Sequence, residues 1–459
     1  MLPTALRRPL GTLVAASRRH VVEPVWSRYS GSPLLATWRE LETSQFLPER
    51  VILDRQAHRL KALLQYVDKH NEFYHGRFEA FGVDPAEIRS KEDLSCIPVL
   101  TKREVRAQGT SILSKGFAAD RLMQAKTGGS TGVSLQLWAP EEVSEMRNAS
   151  GRRSRRWAGW KVGEPVAAVW GNVHLPHTLR NRLREWLLSP WIYMDTMSVT
   201  EEAVKRFADD WRRVLPTLIF GHAHSIFVLS QMVDSMNVRE IRPRSIIASS
   251  MTLLPHERTQ IERVFGVRVT DLYGCEEVGL IASECERHEG LHLNIEQLVI
   301  EVLREDGTPA GPGENGQVVV TDLLNYAMPL IRYRMEDMAE ATDRRCSCGR
   351  GLPIIGRVSG RLADFLIRTD GSKVAGISLI ENSLTKIPGI VQMQIVQESL
   401  TSIRLRVVPD SGFHGDWQAE LEAYFRGIFP GAEVSVERTA DIPPEPNGKY
   451  RFSICRVAS

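Results

Sequence analysis

Between residues 165 and 275 short apolar runs and amphipathic stretches take turns. PVAAVWGN reads as a buried strand, and TLIFGHA as a second one running into the helical SIFVLSQMVDSM. SIIASS, the helix-like PHERTQIERVF and the strand-like VRVTDLYG continue the series. Near-continuous apolar runs mark strands covered on both faces, and helices between them supply the cover. Strand and helix in alternation therefore predict an α/β domain.

Other stretches fill in the organisation. Pro48 opens a helical pattern in which Val51, Ile52, Leu60, Leu63, Leu64 and Val67 recur at three- and four-residue steps. LNIEQLVIEVLREDGTPAGPGENGQVVVTDLL reads as two strands around a Gly/Pro turn. From residue 362 the order becomes strand (VQMQIVQE), strand (IRLRVVP), helix (WQAELEAYFRGIF), strand (EVSVER), a small α+β module. The predicted division is a basic leader at 1–30 that need not be ordered, a large α/β domain at 31–361 with a β-rich insertion near 285–350, and the small domain at 362–459.

The charge balance is even, with 58 Lys and Arg against 56 Asp and Glu. Nothing in it calls for a nucleic-acid or membrane partner. No stretch approaches the ~18 consecutive apolar residues of a transmembrane helix. Arg7, Arg8, Arg18 and Arg19 precede the first acid, Glu23, around a short apolar run. A transit peptide can look like this, but the reading preferred is a basic leader on a cytoplasmic protein. The arginines from Arg152 to Arg156 are expected on a solvated helix face, with a contact to the phosphates of a ligand as the alternative.

Several short motifs carry chemistry. In Thr127-Gly128-Gly129-Ser130-Thr131-Gly132 three glycines let the backbone approach a phosphate, and three hydroxyls add donors. No Gly-Lys-Ser/Thr follows, so it is not a Walker loop. Tyr273-Gly274-Cys275-Glu276-Glu277 offers an aromatic for a base and a carboxylate for Mg²⁺. In Arg332-Tyr333-Arg334-Met335-Glu336-Asp337 the final carboxylate can accept both hydroxyls of a ribose. Arg361, after Gly360, can reach a phosphate, and Lys449, on a turn after Asn447-Gly448, can deliver a mobile positive charge. His174 and His177 are candidates for lining an acyl pocket.

These motifs, in this order, resemble the adenylate-forming superfamily of acyl-CoA ligases, luciferases and peptide-synthetase adenylation domains. Within it the chain is most similar to the phenylacetate–CoA ligase family and its capsule-locus relatives, supported by IPVLTKREVR and TDLLNYAMPLIRYRMED. The resemblance covers residues 50 to 455. It implies a large adenylate-forming domain with a small mobile C-terminal lid. It implies that Thr127 to Gly132 cradle the ATP phosphates, that Ser249 and Ser250 line the adenine pocket, and that Tyr273 and Gly274 lie against adenine and the acyl carboxylate. Glu277 would bind Mg²⁺, Asp337 the ribose, Arg361 a phosphate or ribose oxygen, and Lys449 would enter for adenylation. Three positions depart from the family. The loop reads TGGSTG rather than TSGSTG, Ala363 stands where relatives carry a hinge acid with Asp364 next, and Met251 stands where many place a glutamate beside the adenine.

Cys285, Cys346 and Cys348, with Cys275 upstream, point to metal before disulfide in a reducing compartment. Three thiolates and an imidazole make a tetrahedral structural zinc site. His288 has the Cys-x-x-His spacing, while His292 fits the pattern of those family members that carry such a zinc. Cys96 and Cys455 read as small buried hydrophobes. The expected activity is ATP-dependent activation of a carboxylic acid, aryl-acetate-like or other, as an acyl adenylate, then transfer to CoA. Two other readings stand beside it: transfer to a carrier-protein thiol or a sugar hydroxyl, and a non-catalytic nucleotide-binding relative. A homodimer is compatible with all three.

Overall fold

A computed structural model describes residues 4–126, 135–171, 187–188, 190–359, 362–409, 415–443 and 451–457. An eight-stranded sheet organises the large domain. In spatial order its strands are Ile354–Ile355, Leu291–Leu293, Gly279–Glu284, Val269–Cys275, Ser245–Ser249, Leu218–His222, Val166–Trp170 and Trp191–Asp195. The last five are parallel and the first three antiparallel. The helices Glu201–Val214, Ala223–Ser235 and Pro255–Phe265 connect the parallel strands. Their apolar residues Phe207, Ile226, Leu229 and Ile261 share one core with Ile219, Ile246 and Val269 of the sheet.

A second, antiparallel sheet runs Leu298–Leu303, Asn315–Asp322, Tyr333–Glu340, Val358–Ser359. The segment near 285–350 is thus not an insertion set apart, because its strands belong to these two sheets. The helix Glu49–His70 packs on this side through Ile52, Leu60, Leu63, Leu64 and Val67, while Val51 is exposed. The hairpin Met123–Lys126 with Gln136–Ala139 ends its ladder at Lys126 opposite Gln136, so it flanks the glycine loop at both ends.

The C-terminal module is a five-stranded sheet with helices Gly376–Lys386 and Trp417–Ile428. Besides the strands read from sequence, it contains that first helix and a strand at Arg451–Cys455. It docks on the edge of the large sheet. Val199 and Lys373 exchange backbone hydrogen bonds of 2.9 and 3.2 Å, and Ala375 N–H donates to Thr196 O at 2.8 Å. A Cβ on Gly171 would lie 1.9 Å from Ser378 Oγ, so only glycine admits this approach.

Residues 4–30 are helical, in the elements Thr4–Ser17, Arg18–Val22 and Glu23–Ser30. Polar contacts tie this segment to the large domain. Arg18 donates to Leu187 O and Gly163 O, Arg19 donates to Val162 O, and Glu23 pairs with Arg152.

Candidate active site

A cleft opens at the carboxyl ends of the parallel strands Ser245–Ser249 and Val269–Cys275, where open α/β sheets bind their ligands. Ser250, Met251, Asp271, Tyr273, Gly274 and Asp337 are among its lining residues. Ser249 ends its strand opposite His222 and is buried, whereas Ser250 turns into the cleft with φ 64°. A left-handed serine is uncommon, and such strain is found where a chain must present its backbone to a ligand. Tyr273 Oη donates to Asp337 Oδ2 at 2.9 Å, joining the two sheets across the cleft.

The turn after Tyr273 is tight for a local reason. Gly279 sits at φ 78°, and a Cβ on Gly274 would lie 2.8 Å from Gly279 O. The hairpin therefore closes within a few residues, leaving Glu276 exposed and Glu277 buried. Glu277 Oε1 lies 3.6 Å from Lys102 Nζ, and both side chains are buried.

Lys102 was not read as a site residue from sequence. Its placement follows from Leu100 and Thr101. Leu100 N–H donates to Arg332 O at 2.8 Å, and Arg334 N–H donates back to Leu100 O at 2.9 Å. Thr101 then forms a capping box with Glu104, starting the helix Lys102–Gln108. The TKRE run carries that capping signal, but nothing local shows which carboxylate the lysine meets. Arg332 is structural, with its guanidinium on both oxygens of Glu301 at 2.9 and 3.1 Å and also donating to Ile97 O.

Asp271 is a second lining residue that the motifs did not single out. Burial, aided by the nearby Glu284 charge, pushes its carboxyl up to about 7. Its N–H donates to Glu284 Oε2 at 2.9 Å, and Arg258 holds Glu284 at 3.0 and 3.1 Å.

The arginine run is not the solvated face expected. Arg153 is fully buried, paired with Glu296 and donating to Leu41 O and Asn294 Oδ1. Arg152 and Arg156 flank the Trp38 ring, and Arg155 lies over Trp160 at 5.6 Å. Only Arg156 is exposed. Burial, with Arg152 beside it, lowers Arg155 to about 10. These side chains hold the N-terminal helices by ion pairs and cation–π contacts.

Cys285, His292, Cys346 and Cys348 bring their ligand atoms within 4.8 Å of one another. Cys285 Sγ and Cys346 Sγ are 3.6 Å apart, and Cys348 Sγ lies 3.3 Å from His292 Nε2. The edges of a tetrahedral zinc site are ~3.8 Å for S–S and ~3.6 Å for S–N. His292 Nδ1–H donates to Leu352 O at 3.0 Å, which aims Nε2 at the sulfurs. Burial lowers this imidazole to about 4, so it is neutral as a ligand must be. His288 is engaged elsewhere, on Glu284 Oε2 at 2.9 Å. The donor set fits zinc. Cys275 stands apart, in the strand facing Gly279. Cys96 is exposed and Cys455 half-buried, which corrects the reading of both as buried hydrophobes.

Thr127, Gly128, Gly129, Ser130, Thr131, Gly132, His174, His177, Arg361 and Lys449 lie outside the described residues. Asp364, beside the departed hinge position, accepts from Arg451 Nη2 at 2.6 Å and Cys455 N–H at 2.9 Å.

Comparison with known proteins adds four findings. Residues 366–456 match the CapK C-terminal domain family. A phenylacetate–coenzyme A ligase of Thermus thermophilus is 27% identical over 371 residues, covering 77% of this chain and 78% of its own. One of Escherichia coli is 25% identical over 323 residues, covering 68% of this chain and 71% of its own. Among solved structures, a 2-hydroxyisobutyryl-CoA ligase in complex with 2-HIB-AMP and CoA superposes with a TM-score of 0.62 at 17% identity, covering 90% of this chain and 91% of that one. The fold is therefore that of the adenylate-forming ligases, and the chain is similar over most of its length to phenylacetate–coenzyme A ligases, with a C-terminal module that matches the CapK C-terminal domain.

Proposed function

We propose that the chain is an AMP-forming acid–thiol ligase. A carboxylate oxygen attacks the α-phosphorus of ATP, the bond to the β-phosphate oxygen breaks, and pyrophosphate leaves. The thiolate of CoA then attacks the carbonyl carbon of the acyl adenylate and AMP departs. The observation that carries this reading is the convergence of Ser250, Tyr273 and Asp337 on one cleft, with Glu277 on the turn that follows Tyr273.

In this reading Tyr273 and Gly274 pack against adenine and the acyl group, and Ser249 and Ser250 shape the pocket. Asp337, oriented by Tyr273, accepts the ribose hydroxyls. Glu277 would hold Mg²⁺, which neutralises phosphate charge when bound. Lys102 lies beside that carboxylate and orients it. Thr127 to Gly132 would receive the phosphates, and Arg361 and Lys449 would meet the charge that grows on the phosphoryl oxygens. Cys285, His292, Cys346 and Cys348 would hold a structural zinc, with no open position for substrate.

A second acceptor, a carrier-protein thiol or a sugar hydroxyl, has one observation in its favour. Asp364 is tied to Arg451 and Cys455 within the CapK module, so it does not replace the absent hinge acid. ATP–pyrophosphate exchange across a panel of aryl-acetic and aliphatic acids, followed by AMP release with and without CoA, tests the proposal. CoA-dependent AMP release with one acid supports it. Exchange without a CoA response moves the acceptor elsewhere. Nucleotide binding with no exchange for any acid overturns the enzymatic reading.

A further inference from the structure

The helical segment from residue 11 to residue 30 turns several of its apolar side chains outward. Three of its charged groups face the protein: Arg18 and Arg19 donate to Leu187 O, Gly163 O and Val162 O, and Glu23 pairs with Arg152, while His20 and Arg28 are exposed. The seat is close, for a Cβ on Gly163 would lie 2.6 Å from Ala15 O. Its apolar groups face outward. Leu13, Val14, Val21, Val25 and Tyr29 are 67%, 46%, 57%, 64% and 79% exposed. A soluble surface helix has the reverse arrangement, and five exposed large apolar side chains on one short segment signal something that covers them.

Charge selects the cover. Glu23 is the only acid between residues 4 and 30, and it is buried against Arg152. The segment also carries Arg7, Arg8, His20 and Arg28. A second copy would set arginine against arginine with no acid between them. An anionic lipid surface offers both an apolar layer and negative charge. No helix among the described residues is long and apolar enough to cross a bilayer, so the segment would lie along the surface. We infer that Leu13, Val14, Val21, Val25 and Tyr29 form a docking face for an anionic membrane surface, which revises the expectation of no membrane partner.

Co-sedimentation of the full chain with vesicles tests this. The parent protein should sediment with phosphatidylcholine vesicles containing phosphatidylserine, and release as salt is raised. The triple variant Leu13→Ser, Val21→Ser, Val25→Ser should bind at least ~100-fold more weakly, since each exposed site loses its apolar contact. Arg28→Glu should weaken binding to the anionic vesicles. ATP–pyrophosphate exchange in solution should be unchanged in all of them, which shows that the fold is intact. Failure of the parent to bind, equal binding to pure phosphatidylcholine, or equal binding by the triple variant each overturn the proposal. So does a parent dimer, seen by light scattering, that the triple variant converts to a monomer without any vesicle binding.

Discussion

Removal of the metal proposed at Cys285, His292, Cys346 and Cys348 should cost stability by an amount that can be worked out beforehand. The four ligand atoms lie within 4.8 Å, but the loop carrying Cys346 and Cys348 has other attachments. Arg350 pairs with Glu286 at 3.0 Å, Ser347 donates twice to Glu289 at 2.7 and 2.8 Å, and Gly351 N–H donates to Gln45 O at 2.9 Å. The loop is therefore held without metal, and loss of metal should loosen rather than unfold the domain. With free zinc at ~1,000 times its dissociation constant, linkage gives ~4 kcal/mol. Unfolding entropy is ~2.1 cal/mol/K per residue, or ~1 kcal/mol/K over a chain of this length. Chelation should thus lower Tm by ~4 K, reversed by added zinc. Thermal scans paired with elemental analysis measure both quantities. His292→Ala should lose the metal and the 4 K together, while His288→Ala should keep both. A protein purified without chelators that is metal-free, equally stable and fully active would refute the site and reduce the cluster to packing.

Three further outcomes are expected. Lys449→Ala should abolish adenylate formation yet leave thioester formation from a supplied acyl adenylate, because its charge is needed only in the first transition state; equal loss in both half-reactions would remove it from catalysis. Glu277→Gln should lower ATP–pyrophosphate exchange by ~10²-fold or more without unfolding the protein, and near-parental exchange would end the Mg²⁺ role. Lys102→Met breaks a buried pair and should cost ~3–5 kcal/mol in urea unfolding. The double variant with Glu277→Gln should recover most of that loss, and a double variant no more stable than Lys102→Met would mean the two side chains do not interact.

Four of the five parallel strands were legible from their apolar runs, as in Val166–Trp170 or Ser245–Ser249, whereas Trp191–Asp195 was not read. Tyr273 and Asp337 were legible as motif residues, but their hydrogen bond was not, since it joins two sheets. Lys102 was hidden for the same reason. A capped helix start fixes where the lysine sits along the chain, not which carboxylate faces it. The arginine run misled because charge was read without its partners. Glu23, Trp38 and Glu296 lie far from the run in sequence, and only folding assembles them around the helix Glu141–Trp157. The N-terminal segment shows the converse, since Arg18 and Arg19 are spent on backbone carbonyls that no local pattern reveals.

Motion of the C-terminal module is the last expectation, and the docking geometry gives a direct test. The contact with the large domain combines polar bonds with an apolar core that both share. It includes the backbone bonds of Val199 with Lys373 and of Ala375 with Thr196, the Arg368 guanidinium on Met197 O at 2.9 Å, and the hydroxyls of Thr196 and Ser378 at 3.0 Å. Each such bond is worth ~1 kcal/mol net, so the set can break and re-form within a catalytic cycle. Two oxygens 3.0 Å apart put cysteine sulfurs at the same positions in reach of a ~2.05 Å bond after a small adjustment. In the double variant Thr196→Cys, Ser378→Cys, oxidation should therefore fix the module in the arrangement described. If the module must rotate between adenylation and thioester formation, the oxidised enzyme should retain at most one half-reaction and make no acyl-CoA over many turnovers. Reduction should restore the full cycle, which separates locking from damage. Assaying ATP–pyrophosphate exchange and thioester formation from a supplied adenylate, before and after reduction, identifies the half-reaction that this arrangement serves. An oxidised enzyme, shown by thiol titration to be bridged, that still makes acyl-CoA at the reduced rate would mean that the CapK-type module does its work without leaving the Thr196–Val199 edge.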